Sequence, residues 1–400
     1  MRRSMVVLGA FATLLAMGAG SALAQPNRAK RALVRALRSG MQAAGAFSGA
    51  YVVDLTTGEV LFSAAPDVRR LPASVEKLYT TSTALMRFGP TATLTTAILG
   101  VGARSPLGTW NGDLYLRGGG DPTFGSAGFD RSTYGTGASI QQLVRSLVRK
   151  VGITGLSGRI VGDASVFDRL AGTPPTGFQY SPYLEGSLSA LAFNRGLVGG
   201  GASNVMHPSY YAAKQLVAAM RAAREQMPAK TVIAAGIAPS VAQQLATVSS
   251  PPISTLIALT NTPSDNFFAE MLLKDLGARF GVGGTTAAGA SVVRAELATQ
   301  FAINPRLNDG SGLSRYDATS PRQVVTLLRQ MANNPDFVGS LAVAGQSGTL
   351  VDEMQGTIAQ GRCRGKTGSL HDVSNLVGYC RARDGHTLAF AFLMNAIYPF

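Results

Sequence analysis

Lys77 and Ser264 are separated by close to half of this 400-residue chain, yet each sits in a short motif whose chemistry calls for the other nearby. Three such motifs occur, once each and in a fixed order: Ser74-Val75-Glu76-Lys77, Ser264-Asp265-Asn266 and Lys366-Thr367-Gly368. No other serine has a lysine three residues on, and no other has an asparagine two residues on. Only seven lysines are present, and two of them fall here. A fold that unites the three motifs must carry a long insertion between the first and the second.

The text at the two ends agrees with that demand. After a predicted helix over 27–38, the apolar, β-branched run 47–55, the turn Thr56-Thr57-Gly58-Glu59 and the run 60–63 read as a β-hairpin. Pro72 and Ala73 introduce a helix whose first turn carries Ser74 and Lys77. A helix starting near Pro263 bears Ser264, and the C-terminal segment reads as three strands over 363–370, 374–380 and 387–394. Strands from both ends imply one antiparallel sheet built from the two termini, an α+β arrangement. Between them the text changes, with strand signals over 112–120 and 158–162 and helices over 139–151 and 210–225. The expected domains are a first core part over 25–95, an inserted part over 96–249 and a second core part over 250–400.

Arg2 and Arg3, the apolar run 5–17 and the small-residue triplet Ala22-Leu23-Ala24 read as a signal peptide over 1–24, with a retained membrane anchor as the alternative. No later apolar run reaches spanning length, so the expectation is an exported protein of the periplasm or cell envelope without a stable membrane span. An apolar content of 46% is ample for a packed core. The formal charge of +14 favours an anionic envelope surface or acidic ligands. Nucleic-acid binding is not expected, because the arginines are scattered and lack aromatic interleaving. The two cysteines, Cys363 and Cys380, lie symmetrically about the turn His371-Asp372, which places them opposite one another in a hairpin. A cross-strand disulfide follows if the chain is exported, and two unpaired thiols remain the alternative.

Residues three apart on a helix share a face, so Ser74 Oγ and the Lys77 amine can meet. A lysine at its ordinary pKa of about 10.4 is a poor base near neutrality, so Lys77 would have to be desolvated or held beside another cation, which Lys366 could supply. In that arrangement Ser74 is the candidate nucleophile and Lys77 its base. Ser264 can relay a proton to a departing amine, Asn266 can bond a substrate amide, and Asp265 between them points elsewhere. A strand carrying Lys366, Thr367, Gly368 and Ser369 can pair with an extended peptide. Lys366 and Thr367 suit a terminal carboxylate, Gly368 allows close approach, and the Ser369 N–H can join that of Ser74 as an oxyanion donor. Taken singly, the three motifs read more readily as a helix cap, an N-cap and a strand end, respectively; their joint, unique, ordered occurrence reverses this in favour of a site. Other schemes lack their parts. His207, His371 and His386 are the only histidines, with no H-E-x-x-H for zinc and no G-x-S-x-G elbow, and Gly118-Gly119-Gly120-Asp121 lacks the G-K-[ST] of a phosphate loop.

With these residues the chain resembles the exported D-alanyl-D-alanine carboxypeptidase/endopeptidases, the class C low-molecular-mass penicillin-binding proteins. The resemblance extends to Leu71-Pro72-Ala73-Ser74, Gly118-Gly119-Gly120-Asp121-Pro122-Thr123, the run from Thr262 to Glu270, Asp309-Gly310-Ser311-Gly312-Leu313-Ser314-Arg315, and the wide interval before Ser264. It implies a penicillin-binding protein/β-lactamase-like transpeptidase fold, a five-stranded antiparallel sheet flanked by helices, with a large, mainly β insertion. It also implies cleavage of the D-Ala-D-Ala bond of peptidoglycan stem peptides and of D-alanyl cross-links, acylation by β-lactam antibiotics, and no cofactor or metal. The roles implied are catalytic for Ser74, Lys77 and Ser264, and substrate-binding for Asn266, Lys366 and Thr367.

Two departures stand out. The segment Gly177-Phe178-Gln179-Tyr180-Ser181-Pro182-Tyr183-Leu184-Glu185 has neither the tryptophan nor the aspartate of the family's side-chain pocket, which leaves Glu185 as the substitute. The last strand is followed only by a few residues to Phe400, where the family continues into a helix, so a divergent or incomplete form is expected. A β-lactamase or esterase on the same fold is the second reading, and an inactive peptidoglycan-binding envelope protein the third.

Overall fold

Leu33, Leu37, Met41 and Ala44 recur at helical spacing, and they bury one side of a helix, Gln25–Ala44, in a core shared with the first hairpin. A computed structural model describes this chain over residues 25–198, 203–223, 226, 228 and 230–397; the leader proposed over 1–24 lies outside the described residues. Strand β1 (Ser48–Asp54) is buried throughout, as befits a central strand, and pairs antiparallel with β2 (Val60–Ala64). At the turn between them Gly58 takes φ +80, and Asp54 Oδ1 accepts the Thr56 N–H at 2.8 Å.

The chain divides into two compact units. One comprises residues 1–87, 257–265 and 293–400, and the other residues 88–256 and 266–292. The second unit contains β3 (Thr95–Arg104), β4 (Thr109–Arg117), β5 (Gly155–Ser157), β6 (Ile160–Asp163), the two-stranded ribbon of β7 (Leu197–Val198) and β8 (Ser203–Asn204), then β9 (Ile233–Ala235) and β10 (Gln243–Ser249). Its main sheet runs β10-β3-β4-β6-β9, with β5 also on β4. Pairings of β3 are antiparallel, whereas β4–β5, β4–β6 and β6–β9 are parallel. Parallel neighbours need crossovers, and the helices Ile140–Val151 and Pro208–Ala222 provide them. The first of these starts at a Ser139–Gln142 capping box and stops at Gly152, φ +69. Both helices bury their apolar faces against the sheet through Leu143, Leu147, Leu216 and Met220. This unit thus carries two crossover helices as well as its strands.

In the first unit the chain returns as β11 (Ala342–Val343), β12 (Cys363–Leu370), β13 (Val373–Arg381) and β14 (Thr387–Met394). The sheet order β11-β12-β13-β14-β1-β2 is antiparallel throughout. Five long strands from both chain ends form it, as the sequence implies, and the two-residue β11 is an addition. All but the first residue of β14 are buried, because helix Gln25–Ala44 and helix Pro321–Met331 belong to the cores on its two sides. Cys363 faces Cys380 in the ladder with Cα atoms 4.1 Å apart, and the two form a disulfide. That spacing belongs to the non-hydrogen-bonded pairs of an antiparallel ladder, where side chains come closest.

Candidate active site

Ser74 does not lie on the α-helix that the sequence suggests. It occupies a 3₁₀ turn, Ala73–Glu76, and the α-helix Lys77–Phe88 begins only at the lysine. Ala73 is held at φ +48, a strained conformation for a residue with a Cβ. What holds it is backbone capture: Asn375 Nδ2 donates to the carbonyls of Leu71 and Pro72 at 2.9 and 2.8 Å. In a 3₁₀ turn residues three apart eclipse, and Lys77 Nζ donates to Ser74 Oγ at 2.9 Å. A second bond runs from Lys77 Nζ to the Ser311 carbonyl at 2.8 Å. Lys77 is fully buried, so its amine meets protein groups in place of water.

The helix expected to start near Pro263 and to bear Ser264 starts only at Asn266. Helix Ile253–Asn261 ends before Pro263, Ser264 sits in a turn at φ +69, and helix Asn266–Phe280 begins afresh. The turn closes with Asp265 N–H on the Thr260 carbonyl at 2.9 Å. It is anchored from Asn261, whose Nδ2 donates to Thr81 Oγ1 and Ser340 Oγ at 3.0 and 2.9 Å. Neither Pro263 nor a left-handed serine fits an uninterrupted helix.

Lys366 of β12 is buried, and its Nζ donates to Ser264 Oγ at 2.7 Å and to the Thr367 carbonyl at 2.9 Å. Burial first, and then the charge of Lys77, hold its ammonium well below the ordinary lysine range. Thr367 Oγ1 bonds Thr349 Oγ1 at 2.9 Å. At Gly368 the close neighbour is the turn that carries Ser74: a Cβ there would stand 2.5 Å from the Pro72 carbonyl. Arg381 N bonds Arg362 O, and counting the ladder alternation forward from that pair leaves the Ser369 N–H directed away from β13, toward the edge of the sheet.

Ser74, Lys77, Ser264, Lys366, Thr367, Gly368 and Ser369 all belong to the first unit. Asn266 falls in the second, where its Nδ2 donates to the Tyr183 carbonyl at 2.6 Å. Glu185, the expected stand-in for the pocket aspartate, accepts the Asn266 N–H at 3.2 Å and lies 3.9 Å from Arg195, so its carboxylate caps a helix start. Sequence reasoning assigned no part to Asn375, Asn261, Thr349 or the Ser311 carbonyl. The segment around Ser311 had been noted for its resemblance, but a backbone oxygen leaves no residue-type signal. Among the described residues no group of three or more His, Cys, Asp or Glu is placed to hold a metal.

A serine in contact with a buried lysine, with a second lysine on a second serine, is equipped for acyl transfer without histidine. The model of one peptidase family, described as D-Ala-D-Ala carboxypeptidase 3 (S13), matches residues 31–179 and 183–399. The chain belongs to the D-Ala-D-Ala carboxypeptidase 3 (S13) family. This S13 peptidase is 29% identical to the D-alanyl-D-alanine carboxypeptidase of an Actinomadura species, over 95% of its own length and 84% of that relative's. It is 28% identical to a carboxypeptidase of Mycobacterium tuberculosis, over 87% and 76%. Its fold is that of penicillin binding protein 4 from Haemophilus influenzae, with a TM-score of 0.75 at 20% identity, covering 88% of this chain and 91% of the other. A penicillin-binding-type, mixed α+β fold and a serine-type D-Ala-D-Ala carboxypeptidase are thereby established for the S13 chain.

Proposed function

We propose that Ser74 is the nucleophile and Lys77 the base, with Ser264 as proton relay and Asn266, Lys366, Thr367, Gly368 and Ser369 as substrate contacts. The observation that carries this reading is the Lys77 Nζ to Ser74 Oγ contact of 2.9 Å inside a buried setting that also holds Lys366. Lys77 takes the Ser74 proton as Oγ attacks the carbonyl carbon of the penultimate D-alanine. The N–H groups of Ser74 and Ser369 receive the oxyanion, since preorganised donors act most strongly on charge that develops in the transition state. The departing amine collects its proton through Ser264 Oγ, and water then hydrolyses the ester on Ser74. Lys366, held below its ordinary range, regains its full charge when a substrate carboxylate arrives beside it.

The substrates proposed are the D-Ala-D-Ala ends of peptidoglycan stem peptides and D-alanyl cross-links. A β-lactam would be trapped as the ester, consistent with the Haemophilus protein described in complex with a β-lactam and with a Bdellovibrio bacteriovorus peptidoglycan endopeptidase acylated by penicillin G. Residues 1–24 are proposed as the export leader, residues 96–249 as the inserted domain, and the periplasm or envelope as the place of action. The test is labelling by a fluorescent penicillin together with digestion of defined muropeptides. Wild type should form a lasting adduct, release D-alanine and split cross-linked dimers, and Ser74→Ala should do none of these. Rapid turnover of the antibiotic would instead mark a β-lactamase.

A further inference from the structure

Two carboxyl groups, Asp309 and Asp317, are buried within one loop, at 1% and 0% exposure. Three of their four oxygens receive N–H donors. Asp309 Oδ1 accepts from Gly312 N at 2.7 Å and Oδ2 from Ser314 N at 2.8 Å, while Asp317 Oδ1 accepts from Asn308 N at 2.7 Å. The fourth oxygen, Asp317 Oδ2, is buried without a donor, and Asp309 is its acidic neighbour. A buried carboxylate beside a second one resists ionising, and a proton on Oδ2 turns the orphan into a donor toward Asp309. Burial, and then the charge of Asp309, push Asp317 up to about 9, so that proton is retained near neutrality.

The loop pinned in this way reaches the Ser74 turn and the helix that follows it at three points. The Ser311 carbonyl takes the bond from Lys77 Nζ at 2.8 Å, and the Gly310 carbonyl takes one from Thr80 Oγ1 at 3.1 Å. Gly312, at φ +83, backs onto the Ala73 carbonyl so closely that a Cβ would lie 1.8 Å from it.

We propose that Asp309 and Asp317 are positioning residues that share one proton, and that their O–H···O bond fixes the loop whose Ser311 carbonyl holds Lys77 against Ser74. This rests on the reading of Ser74 and Lys77 given above. The charged and titratable groups against the pair and its loop include Lys77, which acts on Asp309 through its charge, the buried Glu76, which lies against Gly312, and Arg306, whose Nε donates to the Tyr316 carbonyl. On the outer side the loop carries the Arg315–Asp372 ion pair at 2.8 Å. Asp317 keeps its proton in the fold up to about 9, so the loop stays ordered at neutral pH and loosens as pH rises through that value, while the matching contribution to stability is complete only below the ordinary 3.8 and fades between the two.

The experiment measures penicillin acylation rates from neutral to alkaline pH for wild type, Asp317→Asn and Asp317→Ala, with amide-exchange protection of residues 308–317 followed over the same range. Asp317→Asn keeps a donor toward Asp309 and an acceptor for Asn308. It should acylate within about threefold of wild type at neutral pH and lose the wild-type alkaline decline, whereas Asp317→Ala should fall by about tenfold or more at every pH. Loop protection should drop through the alkaline range in wild type and hold in Asp317→Asn. An alkaline decline unchanged in Asp317→Asn, or Asn and Ala variants equally impaired, would overturn the proposal. Should Ser74→Ala still take the label, the nucleophile assignment fails, and the exchange measurement alone then decides whether the shared proton orders the loop.

Discussion

Lys366 Nζ lies 2.7 Å from Ser264 Oγ, joining positions 102 residues apart in sequence, and this bond ties the strand motif to the turn motif. An ammonium in such a place is an unfavourable tenant for stability, because burial opposes its charge. Lys366→Met is therefore expected to leave the melting temperature unchanged or higher while reducing acylation by about 10²–10³-fold, the scale of losing one oriented electrostatic group. Paired thermal melts and acylation rates check it; a variant that is destabilised yet fully active would contradict it.

Two glycines are expected to be intolerant of alanine for reasons of space. At Gly312 and Gly368 the added carbon would meet backbone oxygen at 1.8 and 2.5 Å. Each change should cost about 2–4 kcal/mol and abolish most acylation, since the clash displaces residues 72–73 beside Ser74. Gly385→Ala is the control: φ is +90 there but no atom stands within 4 Å, so about 1 kcal/mol is expected with acylation intact. Urea unfolding and labelling of all three variants provide the comparison.

Removing the Cys363–Cys380 bridge releases a closed segment with a sequence separation of 17. The chain-entropy account puts the loss at about 3 kcal/mol. Because the pair sits at the far end of β12 from Thr367 and Gly368, the Cys363→Ala, Cys380→Ala double variant should keep its acylation rate at temperatures where it stays folded. Denaturant midpoints with and without a reductant measure the loss.

His386 Nδ1 and Asp54 Oδ2 stand 2.6 Å apart across neighbouring hairpin turns. The hydrogen bond to Asp54 raises His386, while at Asp54 burial acts upward but is outweighed by the bonds from His386 and Thr56, leaving it lowered. The histidine contribution is complete below its ordinary 6.5 and fades as pH rises through its raised value, and the aspartate contribution is complete above 3.8 and fades as pH falls through its lowered one. The pair thus supports the fold most between those two figures, by no more than about 1 kcal/mol at this half-exposed site. His386→Gln should remove the decline in stability that wild type shows from mildly acid to mildly alkaline pH, as read by urea midpoints.

Patterns that depend on residue type and local spacing were readable before any coordinates. Apolar, β-branched runs and the turn at 56–59 located the strands, and the mirror placement of Cys363 and Cys380 about His371-Asp372 gave the register of β12 on β13. The meeting of Ser74 with Lys77 follows from their spacing, whereas the bond from Lys366 to Ser264 shows only in the fold. What was not readable is backbone conformation imposed from a distance. Ala73 and Ser264 adopt left-handed φ values that their residue types disfavour; Asn375 and Gly312, remote in sequence, brace the first, and Asn261, three residues away, ties the second to the distant Thr81 and Ser340. Propensity called for helix at both serines, and tertiary hydrogen bonding overrode it. Glu185 illustrates a converse limit: its acidity suggested ligand recognition, while its position at a helix start gave the carboxylate a backbone partner.

Strand β11 covers β12 only at Arg364 and Gly365, so from Lys366 to Leu370 no strand among the described residues fills the outer side of the ladder. Elsewhere such a gap invites copies of a protein to stick to one another. A peptide lodged along it would act as a temporary guard against self-association, so solutions of the empty protein should age faster, by turbidity or growth of dimers, than solutions saturated with a slowly cleaved stem peptide.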